Sequence, residues 1–203
     1  MKIGIFGGTF DPPHLGHISV CKAFLDAVDL DVLYVMPAYI PPHKTVSSGV
    51  DADKRLKMSE IAFSQISDKI IVSDIEFKRQ GKSYTAHTLK YFKENFNDVE
   101  IYFLCGTDMI LTMDMWYCPE YIFNNAKIVY ARRENDEQTT RNIDNKCAFY
   151  KEKYGAEIIY LTTDVKEMSS SEIREAVVKK EDLTKYLSKE IIDYINDNEM
   201  YVD

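Results

Sequence analysis

Short apolar runs alternate with amphipathic stretches along the whole chain. Several runs are apolar at nearly every position, as is typical of strands covered on both faces, and the set predicts strands at 2–6, 32–36, 70–75, 100–105, 127–131 and 157–161. Between them, helical patterns cover 16–28, 53–66, 85–95, 107–124 and 138–153. This order predicts an α/β fold with a doubly wound parallel sheet, whose ligands bind at the carboxyl ends of its strands.

The pattern changes after the last predicted strand. Two helical stretches follow, at about 170–180 and 188–197, and Ser169 and Glu172 have the spacing of a capping box at the start of the first. We expect residues 1–203 to form a single domain, of which 168–203 is a small C-terminal helical part. The polar stretch 134–145 is expected to be a mobile loop or a frayed helix start.

Charge and composition narrow the class of partner. The formal net charge of −8 argues against nucleic-acid binding, which needs a broad basic face, but leaves room for a small anionic ligand. No apolar run approaches the roughly 18 residues that cross a bilayer, and we find no secretory signal, so we expect a cytoplasmic protein without a membrane partner. Whether the chain forms a homo-oligomer is left open, because helix faces that build a core resemble those that pair subunits.

The cysteines carry no candidate chemistry. They stand at positions 21, 105, 118 and 147, without a CxxC pair or a partnering histidine at metal-ligand spacing. We therefore expect neither a zinc site nor a disulfide framework, and interpret all four as buried, reduced thiols.

The segment that ends at His17 carries the strongest candidate chemistry. A predicted strand breaks into a glycine turn, and His14 and His17 follow at a helix start. The turn consists of Gly7, Gly8, Thr9 and Phe10. Its backbone N–H groups and the positive end of the helix dipole can hold a phosphate, and histidines three residues apart can both donate charge-assisted hydrogen bonds to it. The glycines match neither the dinucleotide fingerprint nor the Walker A motif, which argues against a dehydrogenase or a P-loop ATPase. For the glycines alone, a tight turn without a ligand is the alternative.

A second candidate anion site begins the C-terminal part. Ser170, Ser171 and Arg174 lie in the first turn of a predicted helix, where a guanidinium beside serine hydroxyls and N–H groups suits phosphate oxygens. By itself the segment also fits a plain capping box with a solvated arginine. The two segments together favour a triphosphate site.

Both segments resemble the signatures of a known family. Residues 7–17, GGTFDPPHLGH, are similar to the GGTFDPxHxGH signature, and residues 170–174, SSEIR, to the SxxIR-type signature, of adenylyltransferases in the nucleotidyltransferase superfamily. Further matches narrow the resemblance to bacterial nicotinate mononucleotide adenylyltransferases, in the family's order and over almost the whole chain. They are PPHK at 41–44, SYT at 83–85, GTD at 106–108, WY at 116–117 and AR at 131–132. A Rossmann-like nucleotidyltransferase fold is thereby implied.

The resemblance also implies roles for matching residues. It makes His14, His17 and Arg174 catalytic on the triphosphate of ATP, with His17 nearest the α-phosphate. The further ATP-binding residues would be Gly7, Gly8, Thr9, Phe10, Gly106, Asp108, Ser170 and Ser171, and the mononucleotide-binding residues Lys44, Thr85, Trp116, Tyr117 and Arg132. Magnesium is expected with ATP, held by phosphate oxygens and water, because the sequence offers no carboxylate cage and hence no protein metal ligands.

Several of these residues also have a reading independent of the resemblance. Trp116 and Tyr117 form an aromatic pair that can stack on a pyridine ring, although core packing is the commoner fate of such residues. Asp108 follows a predicted strand, where it can accept ribose hydroxyls or cap a helix. Lys44 follows a stiff Pro-Pro pair and can meet a phosphate, or be an exposed loop lysine. The segment 41–50 would make a lid.

The implied reaction joins ATP to nicotinate mononucleotide and gives nicotinate adenine dinucleotide and pyrophosphate. The chain departs from the family at His87, where an aspartate is usual, and at Arg133, where a proline often follows the arginine. The register leaves open whether Arg132 or Arg133 faces the mononucleotide, and Arg132 is favoured because it follows Ala131 as the family's arginine does. Nicotinamide mononucleotide or phosphopantetheine as acceptor, and a non-catalytic nucleotide sensor, are the alternatives. His14 argues against phosphopantetheine, because those enzymes typically have threonine there.

Overall fold

The computed structural model describes residues 1–42, 49–132, 137–162 and 168–202, with the backbone only at 132 and 162. At its centre is a six-stranded sheet in the order β3-β2-β1-β4-β5-β6, and every pairing in it is parallel. The strands are β1 (Lys2–Gly8), β2 (Val32–Pro37), β3 (Ile70–Val72), β4 (Glu100–Cys105), β5 (Lys127–Arg132) and β6 (Ile158–Thr162). The order reverses between β1 and β4, and ligands bind at such a switch point.

Helices cover both faces of the sheet. They are α1 (Leu15–Ala27), α2 (Ala52–Phe63), α3 (Ile75–Arg79), α4 (Thr85–Asn95), α5 (Thr107–Thr112), α6 (Pro119–Asn125), α7 (Glu137–Tyr154), α8 (Ser170–Val178) and α9 (Lys189–Asp197). One apolar cluster packs α1, α2, α8 and α9 on one face, and a second packs α4 to α7 on the other. Along β4, Leu104 belongs to the first cluster and Phe103 to the second, since successive side chains point to opposite faces. The predicted doubly wound α/β fold is confirmed.

Two predicted elements were wrong in extent. The strand expected at 70–75 ends at Val72, where pairing with β2 ends, and α3, which the sequence did not predict, begins at Ile75. The helix expected at 107–124 is interrupted: a 3-10 turn at Met113–Met115 ends in an extended Trp116. Cys118 then takes a left-handed conformation with φ 52°, and Pro119 begins α6, as its fixed φ favours. This break replaces the expected continuous helix and leaves Tyr117 exposed, while Trp116 is half-buried against the second apolar cluster.

Two further expectations are corrected. Most of the polar stretch 134–145 is ordinary helix, because α7 begins at Glu137 and buries Ile143, Cys147 and Tyr150 at helical spacing. Cys118 is exposed, whereas the other three cysteines are buried free thiols as expected. The C-terminal part packs on the same apolar cluster as α1 and α2.

Candidate active site

The glycine turn lies where β1 ends beside β4. A Cβ added at Gly8 would approach the Phe10 ring to 2.7 Å, so only glycine allows Phe10 to fold back against the strand. Phe10 has a left-handed φ of 49° and presents its ring edge-on to His17, with 5.1 Å between ring centroids. At Gly106, just after β4, an added Cβ would meet no atom within 4 Å. The two strand ends therefore border an open space at the switch point.

His14 and His17 cap the start of α1 through each other. The His17 backbone N–H donates to His14 Nδ1 and the His14 backbone N–H donates to His17 Nδ1, both at 3.3 Å. Their rings stack with centroids 3.6 Å apart. An Nδ1 that accepts a hydrogen bond carries no proton, so each neutral ring holds its proton on Nε2. The capping box thus fixes the tautomer that donates through Nε2.

In this arrangement each Nδ1 is turned toward a backbone N–H, which leaves Nε2 as the nitrogen of each ring that can donate to a ligand. The N–H groups of the first turn of α1 are partly engaged, because the Leu15 N–H donates to the Tyr186 carbonyl at 2.9 Å and the His17 N–H to His14. Charge-assisted donation from both histidines to a bound triphosphate stays a prediction.

Arg174 reaches the glycine turn from α8. Its Nη1 donates to the Asp11 carbonyl at 2.7 Å and its Nη2 to Ser171 Oγ at 3.1 Å. The hydroxyl of Ser170 donates to the Pro12 carbonyl at 3.0 Å. The structure therefore brings the two predicted anion segments together, although about 160 positions separate them in sequence. Ser169 is the N-cap of α8, and it accepts from the Ser171 N–H.

Asp11 is a buried carboxylate whose environment the sequence did not reveal. Only 5% of the residue is exposed, yet the carboxylate has partners on both sides. Tyr201 donates its hydroxyl to Asp11 Oδ1 at 2.8 Å, and Arg174 Nη1 lies 3.7 Å from Asp11 Oδ2. Burial, reinforced by the Asp11 charge and hydrogen bond, raises the pKa of Tyr201, so this hydroxyl stays a donor.

Arg55 is a buried charged residue beside the candidate site that sequence reasoning did not single out. It is 1% exposed, and its guanidinium donates to three carbonyls: Nη1 to Thr9 at 2.9 Å and to Ala38 at 2.6 Å, and Nη2 to Tyr39 at 2.9 Å. Burial lowers the pKa of Arg55, which the Asp11 charge opposes. A signal existed, because Arg55 lies on the buried stripe that Met58, Ser59, Ala62 and Phe63 continue at helical spacing. Arg55 holds the ends of β1 and β2 in register.

A second group of predicted residues meets beside the start of α4. Thr85 is the first residue of α4, whose N-cap, Tyr84, makes no side-chain capping bond. The Tyr117 ring lies 4.8 Å from Tyr84 and 5.1 Å from His87, and Trp116 packs edge-on against Phe103 at 6.3 Å. The exposed Tyr117 and the half-buried Tyr84 therefore lie beside the positive end of a helix. His87 is exposed next to Tyr117.

The Phe103 ring links this group to the glycine turn. It is the nearest atom group to a Cβ placed on Gly7, at 3.8 Å, and it also supports Trp116. Asp108 is exposed in the first turn of α5, and the N-cap of that helix is Gly106, so the capping role considered for Asp108 is not the one it has. Lys44, His43 and Arg133 lie outside the described residues, as do the side chain of Arg132 and most of the expected lid.

Within residues 1–42, 49–132, 137–162 and 168–202, no three His, Cys, Asp or Glu side chains come together as a metal site. No helix there is long and apolar enough to cross a bilayer.

Comparison with known proteins identifies the class. The model of the cytidylyltransferase-like family matches residues 5–176, so the chain belongs to that family. The chain is 32% identical over 200 residues to a probable nicotinate-nucleotide adenylyltransferase of Clostridium tetani, covering 98% of each sequence. It is 33% identical over 201 residues to one of Lachnoclostridium phytofermentans, covering 99% of each. Within the class, the chain belongs to the nicotinate-nucleotide adenylyltransferases.

A solved structure supports the fold independently. The Plasmodium falciparum nicotinic acid mononucleotide adenylyltransferase complexed with NaAD superposes with a TM-score of 0.78, covering 98% of this chain and 97% of that one. Its sequence identity is 22%, so this likeness bears on the fold alone.

Proposed function

We propose that this enzyme transfers the adenylyl group of ATP to nicotinate mononucleotide, forming nicotinate adenine dinucleotide and pyrophosphate in NAD biosynthesis. The observation that carries the proposal is the junction of the two anion segments, where Arg174 donates to the Asp11 carbonyl and Ser170 to the Pro12 carbonyl. Two phosphate-binding segments at a switch point suit a triphosphate, while the aromatic group beside α4 suits a pyridine ring.

In this mechanism, an oxygen of the mononucleotide 5′-phosphate attacks the α-phosphorus of ATP in line. A new P–O bond forms, the bond between the α-phosphorus and the bridging oxygen breaks, and pyrophosphate leaves with that electron pair. The attacking phosphate is already ionised, so no base and no protein nucleophile is needed, and catalysis rests on positioning and charge stabilisation. His14 and His17 donate from Nε2 to the α-phosphate region, while Ser171 and Arg174 hold the departing phosphates.

Magnesium belongs to this proposal as the ion that accompanies ATP. The described residues contain no cluster of three or more metal-ligating side chains, and the buried carboxylate of the site, Asp11, already accepts from Tyr201. This donor set fits an ion held by phosphate oxygens and water, which would neutralise part of the triphosphate charge. The cytoplasmic location expected from the sequence, and the roles of Lys44 and Arg132 toward the mononucleotide, belong to the proposal in the same way.

The direct test supplies purified protein with ATP, magnesium and nicotinate mononucleotide and measures pyrophosphate release. We expect turnover and formation of nicotinate adenine dinucleotide. ATP binding without pyrophosphate release from any of nicotinate mononucleotide, nicotinamide mononucleotide or phosphopantetheine would instead identify a nucleotide sensor.

Competition between the two pyridine mononucleotides tests the acceptor. The start of α4 presents the positive end of a helix, which favours a carboxylate over a neutral amide. We expect kcat/KM for nicotinate mononucleotide to exceed that for nicotinamide mononucleotide by about 10-fold or more, because a hydrogen bond to a charged acceptor is the stronger one. Equal values would remove α4 as the origin of selectivity.

Replacing Trp116 with alanine should weaken the mononucleotide alone. Stacking on an aromatic ring is worth about 1–3 kcal/mol per base, so we expect KM for the mononucleotide to rise about 10-fold or more. KM for ATP should change by less than about 2-fold, because Trp116 is expected to contact the mononucleotide alone. The neighbouring Met115, 70% exposed, provides the control Met115→Ala, and a larger effect of that control would exclude a specific role of Trp116.

A further inference from the structure

Tyr201, which follows α9, contacts the segment between the glycine turn and His14. Its backbone has a left-handed φ of 62°. Its hydroxyl donates to Asp11 Oδ1 at 2.8 Å, and the two residues are 6% and 5% exposed. This buried contact between positions 190 apart ties the residues after α9 to the segment that precedes His14.

Asp11 in turn sets how Arg174 is used. The shortest bond of Arg174 goes to the Asp11 carbonyl at 2.7 Å, whereas the carboxylate oxygen Oδ2 stays 3.7 Å from Nη1. At that separation the two charges attract each other. They do not form the two short parallel hydrogen bonds of a bidentate arginine–carboxylate pair. The side chain of Arg174 is also 25% exposed, so it can reach a ligand in the crevice.

The Tyr201 hydroxyl bears on how Asp11 meets Arg174. It occupies Oδ1, while Oδ2 is the carboxylate oxygen that lies 3.7 Å from Arg174 Nη1. Without it, a buried carboxylate oxygen loses its donor, and turning to pair with both guanidinium nitrogens becomes the favourable way to replace that bond. Arg174 would then be neutralised by Asp11 and less available to an anion.

We propose that Tyr201 is a positioning residue for adenylyl transfer, which holds the Asp11 carboxylate so that Arg174 stays directed at the outer phosphates of ATP. This role rests on the proposed function for its catalytic consequence, but its effect on ATP binding can be measured without turnover. It connects the residues that follow α9 to the ATP site.

The test is Tyr201→Phe, with Tyr194→Phe on α9 as the matched control that also removes one hydroxyl. We expect Tyr201→Phe to weaken ATP binding about 10-fold, measured by calorimetry without mononucleotide, since Asp11 would then compete with the phosphates of ATP for Arg174 and a charge-assisted hydrogen bond to ATP would be weakened. KM for ATP should rise in parallel, and KM for the mononucleotide should stay within about 2-fold. Tyr194→Phe should leave both constants unchanged.

A double mutant separates positioning from general stability. If Tyr201 acts through Arg174, adding Tyr201→Phe to Arg174→Ala should cause no further loss of ATP affinity. An equal 10-fold loss in that background would overturn the proposal, and so would a variant whose thermal midpoint falls while its ATP affinity stays that of the wild type. A wild-type protein that binds ATP but releases no pyrophosphate would refute the proposed function and leave this binding test intact.

Discussion

Replacing His17 with alanine should lower kcat for pyrophosphate release by about 100-fold or more, because it removes a donor aimed at charge that develops on the reacting phosphate. The capping role of the same ring makes alanine alone ambiguous, since its Nδ1 also accepts the His14 N–H at 3.3 Å. Loss of a cap costs only about 1 kcal/mol, so the protein should remain folded and its rate can be measured. Further variants are needed to separate the cap from the donor.

Asparagine and glutamine separate the two nitrogens of His17. Asparagine places an acceptor near the position of Nδ1 and keeps the cap, but has nothing at Nε2, whereas glutamine places an amide near Nε2 and gives up the cap. We expect His17→Asn to be as slow as His17→Ala, and His17→Gln to retain more activity while being less stable. The exposed Ser19 on α1 provides the control Ser19→Ala. Rapid turnover by His17→Asn would exclude donation from Nε2.

Replacing Arg55 with alanine should destabilise the protein by about 3–5 kcal/mol, as measured by urea unfolding. The change leaves three carbonyls, of Thr9, Ala38 and Tyr39, without the donor that holds them within 2.6–2.9 Å. Each buried acceptor left unpaired costs about 1–3 kcal/mol. Lysine should recover only part of the loss, since a single ammonium cannot reproduce the planar fork.

The control for Arg55 lies on the same helix. Lys57 pairs with Glu60 at 3.0 Å on the exposed face of α2, and Lys57→Ala should change the free energy of unfolding by less than about 1 kcal/mol. If Arg55→Ala lowered the free energy of unfolding no more than Lys57→Ala, the three bonds from Arg55 to backbone carbonyls would contribute nothing to stability. A larger rise in KM for ATP with Arg55→Lys than with Lys57→Ala would show that the register of the β1 and β2 ends also serves the substrate.

Local patterns predicted the architecture well, because apolar residues recur at strand or helix spacing on the buried face of each element. β4 and α4 have the predicted bounds, Glu100–Cys105 and Thr85–Asn95, and α4 packs on the second apolar cluster while β4 contributes to both. The interruption at Trp116 escaped prediction, since a left-handed Cys118 before Pro119 depends on backbone geometry that residue type alone does not specify.

The candidate site differs residue by residue in how far the sequence predicts it. His14, His17 and Arg174 are candidates because short motifs carry them, whereas Tyr201 gave no signal, since its contact is with a residue 190 positions away. Arg55 gave a signal that was not used, a charge on an apolar stripe. Local motifs therefore nominate candidate ligand-binding residues, whereas long-range contacts that hold such residues in place appear only in the structure.

The reciprocal bonds between His14 and His17 make the exposure of two backbone amides depend on the position of the two rings. The two backbone amides that close the box are protected from deuterium exchange only while both rings keep their Nδ1 acceptors in place. In the absence of any nucleotide, exchange at these amides therefore measures how often the two side chains leave the capped arrangement, in which each Nε2 can donate to a ligand. A triphosphate that engages Nε2 of both rings would slow this exchange, which gives a label-free readout of occupancy at the level of a single helical turn.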